Sequence, residues 1–400
     1  MSEIELPLTD GYTAARIEER VRRFESLGIH RTGWPGDDQT SKWLIAELAG
    51  AGVTAESERF QFPRVEYRRA SITIAGERID GVPLYDAGFT DYGGIDGELC
   101  EDTDSDIFGK IVVATSTERG VPEWNGVAIS ERLEELAQQG AVGVVIPHGD
   151  RDGQIVLRNA HRIEHPHVLP VLQVAPRETR SLKAALVIGG EGVLEIDGER
   201  LRSNASNVIA TIAGKEPDAA PIGIVTPKSG WYTCAAERGG GIAIFLALAE
   251  SLAAMGTPPR TVHLLASSGH ELDFAGIRAY ARVHRAHIAE AAAWLHLGAS
   301  IGAREEPRPV TATSDAVLHE LTAAAVAAAG VAPAAVREPG PSIGGEAVII
   351  SELDTRYVSF LGGHAYFHSP SDTVDQAFDA EHVARWALAS RDVVAGMLAL

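Results

Sequence analysis

The residue pair His270-Glu271 follows an apolar run, residues 261–266, that has the character of a buried strand and ends in Ser267-Ser268-Gly269. An imidazole and a carboxylate side by side at a strand end are residue types that serve in acid–base catalysis and in metal binding. Neighbouring residues of an extended chain point in different directions, so one side chain can bind a metal while the other faces a bound water. The pair therefore predicts a catalytic or metal site at this position.

Further titratable residues follow other apolar runs of the chain. They are Lys228, Glu237 and Arg238 after residues 221–226, His296 within residues 291–299, and His364, Tyr366, His368 and Asp372 after residues 356–362. In open α/β sheets, ligands collect at the carboxyl ends of the strands. Carboxylate oxygen and imidazole nitrogen suit divalent cations such as zinc. The sequence therefore predicts that these side chains meet at one edge of a sheet and bind a metal there.

The elements that would position these residues alternate between strand and helix. Apolar strands are predicted at 221–226, 261–266, 291–299, 347–353 and 356–362, and helices at 241–255 and 379–398. Near-continuous apolar strands indicate a mostly parallel mixed sheet flanked by helices, hence an α/β fold. Residues 109–175 form a strand–helix–strand pattern of their own. We expect a catalytic domain at 1–65 and 203–400, and a smaller inserted domain at 66–202.

The composition limits the classes of function. The chain has 400 residues, 45% of them hydrophobic, and a net charge of −20 at pH 7, so no basic face for nucleic acid is expected. Two cysteines, an N-terminus without a basic and apolar leader, and no apolar run of membrane-spanning length predict a cytoplasmic protein without a membrane span. The expected partner is a small-molecule substrate, and the sequence leaves open whether the chain forms a homo-oligomer.

These motifs resemble the zinc aminopeptidase and glutamate-carboxypeptidase-like metallopeptidase superfamily, over nearly the whole chain. Residues 31–53 look like its Arg-x-Gly segment and helix, 109–175 like its inserted protease-associated domain, 204–214 like its re-entry into the catalytic domain, and 366–375 like its His-x-x-x-Asp metal motif. The resemblance implies a zinc-exopeptidase-like fold and hydrolysis of a C–N bond by a metal-activated water.

The sequence departs from the two-metal pattern of that superfamily at several motifs. Thr226-Pro227-Lys228 lacks the first His, Glu237-Arg238 stands for Asp-Asn, His270-Glu271 for Glu-Glu, and His296 for a carboxylate. Two cations about 3.5–4 Å apart need anionic ligands, and a lysine at position 228 opposes a second ion. We therefore expect one divalent metal, zinc or manganese, bound by Glu237, Glu271 and His368, with His296 as a fourth ligand or a hydrogen-bond donor to a ligand.

In this arrangement His270 replaces the glutamate that serves the superfamily as general base, because imidazole, with a reference pKa of about 6.5, accepts a proton at neutral pH. The predicted substrate-binding residues are Arg238, Lys228, Trp231, Tyr366 and His364. A cationic and aromatic lining suits a small anionic amide or amine. The expected function is a metal-dependent hydrolase cleaving a C–N bond. The alternatives are a two-metal aminopeptidase acting on peptides, an aromatic-amine aminohydrolase of the 5-nitroanthranilate type, and a non-catalytic binding protein that kept the fold.

Overall fold

The computed structural model describes residues 4–115, 128–342 and 344–400. Its α-helices are α1 (Ala14–Glu25), α2 (Pro35–Gly50), α3 (Ala128–Gln138), α4 (Thr179–Val187), α5 (Gly240–Met255), α6 (Ala275–Val283), α7 (Arg285–Ala289), α8 (Ala316–Ala328), α9 (Ala347–Glu352), α10 (Val374–Ala377) and α11 (Ala380–Leu398). Its strands are β1 (Ala55–Ile74), β2 (Glu77–Asp80), β3 (Val82–Pro83), β4 (Ile95–Glu101), β5 (Ile111–Val113), β6 (Gly143–Pro147), β7 (Val171–Val174), β8 (Glu191–Ile212), β9 (Ile222–Pro227), β10 (Val262–Ser267), β11 (Ala293–Leu297), β12 (Val310–Thr313), β13 (Ala335–Val336) and β14 (Tyr357–Leu361).

The centre of the sheet consists of parallel strands in the order β14-β11-β9-β10, flanked by the antiparallel strands β12 and β8. Alternate residues of each central strand face opposite layers. Leu295 packs in the core that contains α1, α5 and α11, whereas the next-door Trp294 packs in the core of α6 and α9. Both faces of the sheet are therefore covered, which explains the near-continuous apolar runs. This confirms the predicted mostly parallel mixed sheet flanked by helices.

The segment Ala235–Met255 lies in the middle of the larger core. It begins with a π-helical turn, Ala235–Gly239, and continues as α5. By length and composition it is apolar enough to cross a membrane, but 78% of its most apolar window is buried inside the protein. A helix that is apolar on all sides is expected where both the sheet and neighbouring helices cover it.

Two long antiparallel strands, β1 and β8, connect the central sheet to a smaller group of strands. Strand β8 pairs with β10 through its C-terminal part and with β4 through its N-terminal part, and the sheet continues through β5, β6 and β7. Separate apolar clusters lie in this smaller group. The predicted domain boundaries at residues 66 and 202 fall within β1 and β8, and the division into two domains stays a prediction.

One element near the site differs from its predicted type. Residues 347–353 were expected to form a strand, but Ala347–Glu352 form helix α9. The run is short and apolar, and its buried residues Ala347, Ile349 and Ile350 pack beneath the sheet. Periodicity alone does not distinguish a buried strand from one buried helical turn of this length. The difference matters because the residue before α9 belongs to the site.

Candidate active site

The carboxyl ends of β9, β10, β11 and β14 meet at one edge of the sheet, and their loops bring the predicted residues together. Five of the eight described non-glycine residues with a left-handed backbone lie in these loops: Cys234, Asp273, Phe274, Ser300 and His368. Each such conformation costs about 1–3 kcal/mol and is retained where surrounding contacts hold it, often at functional sites. The loops are thus held in specific shapes at this edge.

Arg238 lies fully buried between two carboxylates. Its Nη2 is 2.8 Å from Oε1 of Glu237 and 2.7 Å from Oε1 of Glu271, and its Nε donates to the carbonyl of Ser229 at 2.7 Å. Burial alone would lower the pKa of Arg238, but the two carboxylates raise it above its ordinary value. Burial would also raise the pKa of Glu237, yet Arg238 and His368 hold it far below its usual range. The three side chains therefore form a buried cluster of ions.

Glu271 has both of its carboxylate oxygens engaged within this cluster. Oε1 accepts from Arg238, and Oε2 accepts from the hydroxyl of Ser229 at 3.0 Å. The same hydroxyl oxygen accepts from the backbone N–H of Gly269 at 2.9 Å, which holds Ser229 in place. Glu271 is 2% exposed. Its carboxylate is thus satisfied by the chain itself.

Lys228 makes a second buried ion pair, with Asp37 in the first turn of α2. Neither side chain is exposed to solvent. The other oxygen of Asp37 accepts from the hydroxyl of Ser268 at 2.7 Å and from the backbone N–H of Gly33 at 2.9 Å. The prediction that Lys228 binds substrate is therefore wrong, because its ammonium group points into the protein interior, where Asp37 neutralises it.

His368 lies beside Glu237, with its Nε2 3.4 Å from Glu237 Oε1. Its Nδ1 donates to the carbonyl of Leu157 at 2.9 Å, which fixes the orientation of the ring. Asp372, four residues further on, accepts the backbone N–H groups of Ala236 and Glu237 at 2.8 and 2.9 Å. The predicted His-x-x-x-Asp motif thus holds the loop that carries Glu237.

The four predicted metal ligands do not form one site. Arg238 occupies the space between Glu237 and Glu271, and its fully buried guanidinium would repel a divalent ion placed there. Among the residues described, no group of three or more His, Cys, Asp or Glu is arranged to hold a metal ion. His296 belongs to a different cluster. The predicted donor set therefore does not fit a metal in this chain.

His270 belongs to a hydrogen-bonded chain on the other side of the same edge. Its Nδ1 is 3.1 Å from Oε2 of Glu346, and Nε2 of His296 is 3.2 Å from the same oxygen. Nδ1 of His296 accepts from the hydroxyl of Ser359 at 2.8 Å, and Ser267 donates to the other oxygen of Glu346 at 2.9 Å. Nδ1 of His270 is thus engaged by Glu346, and the His270 side chain lines the large cavity described below.

The charge state of this chain follows from its burial. Burial alone would raise the pKa of Glu346, but the neighbouring His270 and His296 hold it well below its usual value. Burial lowers the pKa of His296, so that ring stays neutral. An ionised Glu346 accepts an N–H from each imidazole, which orients His270 and selects its tautomer.

Sequence reasoning missed Glu346, which follows Gly344-Gly345 and directly precedes α9. Gly345 has φ +68°, and a Cβ at this position would lie 2.2 Å from a ring carbon of His296. Only glycine allows the chain to approach the imidazole so closely. The Gly-Gly-Glu sequence before residue 347 was the available signal, and a strand at 347–353 would not have placed Glu346 in the site.

A cavity of about 840 Å³ opens in front of His270. Segments from both parts of the chain line it, namely residues 148–150, 156–159 and 161 from the smaller part, and 270, 273–274, 278, 308, 344–345, 348, 364–365 and 367–368 from the larger. The backbone N–H of Ala160 donates to the carbonyl of Glu271 at 2.8 Å, and that of Leu157 to the carbonyl of His368 at 3.2 Å. The segment around Ala160 is therefore bonded to two of the site loops and forms a wall of the cavity.

The cavity lining holds three arginines, Arg158, Arg278 and Arg308, and two aspartates, Asp150 and Asp273. Arg278 is paired with Asp273 at 3.1 Å, but within the described part of the chain no carboxylate lies within 4 Å of the guanidinium of Arg308. Arg158 is buried, and burial lowers its pKa to about 10, so it remains charged at neutral pH. The charges suit an anionic ligand. Sequence reasoning missed Arg158 and Arg308, because the smaller part of the chain and an irregular loop supply them.

The predicted substrate-binding residues are dispersed. Arg238 and Lys228 lie in the buried ion pairs, so the prediction that Arg238 clamps substrate is also wrong. Trp231 lines a separate small pocket of about 40 Å³ and donates to Asn159 at 3.1 Å. Tyr366 is 4% exposed, and the guanidinium of Arg151 lies 5.7 Å from its ring centre. His364 does line the large cavity, with its Nδ1 2.9 Å from the hydroxyl of Ser300.

Comparison with known proteins supports the resemblance seen in the motifs. Residues 207–394 match peptidase family M28. The fold is similar to that of a zinc aminopeptidase from Bacillus subtilis, with a TM-score of 0.76 at 15% identity over 98% of this chain and 95% of that one. It is also similar to an aminopeptidase from Aneurinibacillus sp. strain AM-1, with a TM-score of 0.72 at 16% identity over 97% of this chain and 94% of that one. A peptidase M28 precursor from Shewanella amazonensis is similar as well, with a TM-score of 0.75 at 20% identity over 97% of this chain and 96% of that one. The search of curated proteins gives no match.

The match of residues 207–394 to peptidase family M28 agrees with the similarity of the fold to an aminopeptidase over nearly the whole chain. Together they confirm the predicted zinc-exopeptidase-like fold. Residues 207–394, just under half of the chain, thus match peptidase family M28, and the chain as a whole has the fold of the aminopeptidases to which it is similar.

Proposed function

We propose that the protein hydrolyses a C–N bond of a small anionic amide or amine, with His270 as the general base. The observation that carries this proposal is the hydrogen-bonded chain from Ser359 through His296 and Glu346 to His270, which ends at the large cavity. An imidazole oriented by a buried carboxylate is the arrangement in which histidine accepts and returns a proton at neutral pH.

In the proposed reaction, Nε2 of His270 takes a proton from a water molecule as the water oxygen attacks the carbon bonded to nitrogen. The C–N bond then breaks, and the same proton passes from His270 to the departing nitrogen. Glu346 stabilises the imidazolium that exists between these two transfers, because its carboxylate accepts the Nδ1 proton. Arg158 and Arg308 supply positive charge for an anionic substrate and for the negative charge that develops on it.

The similar protein from Bacillus subtilis is a zinc aminopeptidase. In this chain Arg238 lies among the residues that were expected to bind the metal. The proposed reaction therefore relies on His270, Glu346 and the arginines of the cavity and includes no step at a metal.

The test is a screen of acidic dipeptides, small anionic amides and anionic aromatic amines, followed by kinetics of His270→Ala. We expect kcat for any active substrate to fall by roughly 10²–10⁴-fold, because a positioned general base contributes about that factor. The matched control is His165→Ala, since this exposed histidine lies outside the cavity lining. Unchanged kcat in His270→Ala with a normal melting temperature would refute the assigned base.

A second candidate is a non-catalytic binding protein, favoured by the guanidinium of Arg238 among the expected metal ligands. It would use the same cationic cavity to hold an anionic ligand without cleaving it. Isothermal titration with compounds from the screen distinguishes the two, since a binding protein returns the ligand intact. Binding that survives His270→Ala, without turnover in the wild type, would favour this second candidate.

A further inference from the structure

We infer that Arg238 takes the place of a divalent metal ion between Glu237 and Glu271, so that this region is assembled by a cation of the chain itself. One nitrogen, Nη2, bridges an oxygen of each glutamate at 2.8 and 2.7 Å. A bridging cation between two carboxylates is what a metal would provide at this position. The inference concerns the metal content and stability of the protein and does not depend on the proposed reaction.

The guanidinium of Arg238 is held by the backbone as well as by the two carboxylates. Its Nε donates to the backbone carbonyl of Ser229 at 2.7 Å, and the side chain has no exposed surface. Ser229 also donates through its hydroxyl to Glu271, so the same residue holds both the cation and one of its anions. Because Arg238 is held at two points and fully enclosed, entry of a divalent ion would require this whole cluster to open.

The π-helical turn Ala235–Gly239 explains how a guanidinium fits there. It places Glu237 and Arg238 in succession at the start of α5, and the carboxylate of Asp372 fixes the turn through the backbone N–H groups of Ala236 and Glu237. Single π-helical turns at the ends of helices are frequent at functional sites. The backbone that presents the carboxylate therefore also presents its counterion.

An independent observation supports the same conclusion at the neighbouring strand end. Lys228, directly after β9, is fully buried against Asp37, whose other oxygen accepts from Ser268 and Gly33. The three carboxylates on this side, Asp37, Glu237 and Glu271, are thus paired with two monovalent cations of the chain, Lys228 and Arg238. A second divalent ion near Lys228 would meet the same repulsion as one near Arg238.

The experiment measures zinc in the protein purified without a histidine tag, after dialysis against EDTA and again after incubation with ZnCl₂ and desalting. We expect no stoichiometric zinc in the wild type and a melting temperature that neither EDTA nor ZnCl₂ changes. The variant Arg238→Ala leaves two buried carboxylates without their cation, so we expect its melting temperature to fall by roughly 5–10 °C. Added ZnCl₂ should raise the melting temperature of this variant and bind to it.

Two further variants keep the test decisive. Arg69→Ala is the matched control, because Arg69 is half exposed and pairs with Glu195 at the surface, and zinc should not affect it. If Arg238→Ala does not fold, the double variant Arg238→Met/Glu271→Gln removes the cation together with one of its anions. We expect this variant to be more stable than Arg238→Ala.

Specific outcomes would overturn the inference. Stoichiometric zinc in the wild type that Glu237→Gln removes would show that the metal binds beside Arg238 after all. A folded Arg238→Ala variant that gains neither zinc nor stability from ZnCl₂ would show that Arg238 does not stand in place of an ion. Neither result bears on the role of His270, which the kinetics of His270→Ala test separately.

Discussion

Two adjacent residues at the end of β10, His270 and Glu271, belong to environments with opposite properties. Glu271 lies on the ion-paired side of the sheet edge, which consists of Lys228, Asp37, Arg238, Glu237 and Glu271. His270 lies on the cavity side, which consists of His270, Glu346 and His296. The strand end thus divides the predicted site into two clusters.

The two sides use buried charge differently. On the ion-paired side each cation is held permanently against a carboxylate, and Arg238 cannot lose its proton at any physiological pH. On the cavity side the carboxylate of Glu346 lies against the imidazoles of His270 and His296, and imidazole is the side chain that most often transfers protons in catalysis. A fixed charge pair is suited to hold structure, whereas imidazoles at a cavity are suited to transfer protons. We therefore expect substitutions on one side to change stability and on the other to change turnover.

The largest effect is expected for Lys228→Met on the ion-paired side. The substitution leaves Asp37 as a buried carboxylate without its cation, which should cost about 3–5 kcal/mol of unfolding free energy in urea. The double variant Lys228→Met/Asp37→Asn removes both charges and should recover a large part of that loss. A loss below about 1 kcal/mol in the single variant, the range of a surface pair such as Arg69–Glu195, would break the comparison.

On the cavity side, Glu346→Gln should lower turnover of an active substrate. The amide cannot stabilise an imidazolium at His270, so we expect kcat to fall on the order of 10²-fold with KM little changed. Glu271→Gln is the matched change on the ion-paired side and should lower the melting temperature. If Glu271→Gln reduced kcat as strongly as Glu346→Gln at equal stability, the two clusters would act as one.

The pH dependence of stability provides a smaller and more local test. His30 is buried on the ion-paired side, with its ring stacked 3.7 Å from that of Phe24. Burial, and then the charge of Lys228, lowers the pKa of His30 to about 3. An unfolded histidine titrates at about 6.5. Between these values the unfolded chain binds a proton that the folded chain does not.

The contribution of His30 to the free energy of unfolding is therefore complete above pH 6.5, and it is lost progressively as the pH falls toward 3. At pH 5 the loss is about 2 kcal/mol. Urea unfolding of the wild type and of His30→Gln at pH 7 and pH 5 measures it, and the variant should have the shallower dependence. Equal slopes would mean that His30 is protonated in the folded protein.

The fold could be predicted well, because its signals are local. Apolar runs bounded by turn residues indicated β9, β10, β11 and β14, and the helical spacing indicated α5 and α11. Because the strands of a parallel sheet covered by helices on both faces end at the same edge, the polar residues that follow them were expected to meet there. The strand expected at 347–353 was wrong, because four to seven apolar residues carry too little periodicity to separate the two types.

The site could be predicted only in part. The sequence placed five residues at one edge of the sheet: His270, Glu237, Glu271, His296 and His368. It did not predict that they divide into two separate clusters. Whether Glu271 binds a metal or a guanidinium depends on the conformation of the Arg238 side chain. The position of Arg238 in the sequence does not show that conformation. Glu346, Arg158 and Arg308 come from irregular segments whose position depends on the packing of the whole chain.

By itself, the sequence determined the order of the elements, the parallel centre of the sheet and the edge at which polar residues gather, because hydrophobic pattern and chain order suffice for each. Only the tertiary structure decided which charges meet. An ion pair forms between side chains within about 4 Å, a distance set by buried side-chain conformations and by contacts between segments far apart in the chain. For this reason Arg238 and Lys228, expected beside a substrate, lie instead as counterions in the interior.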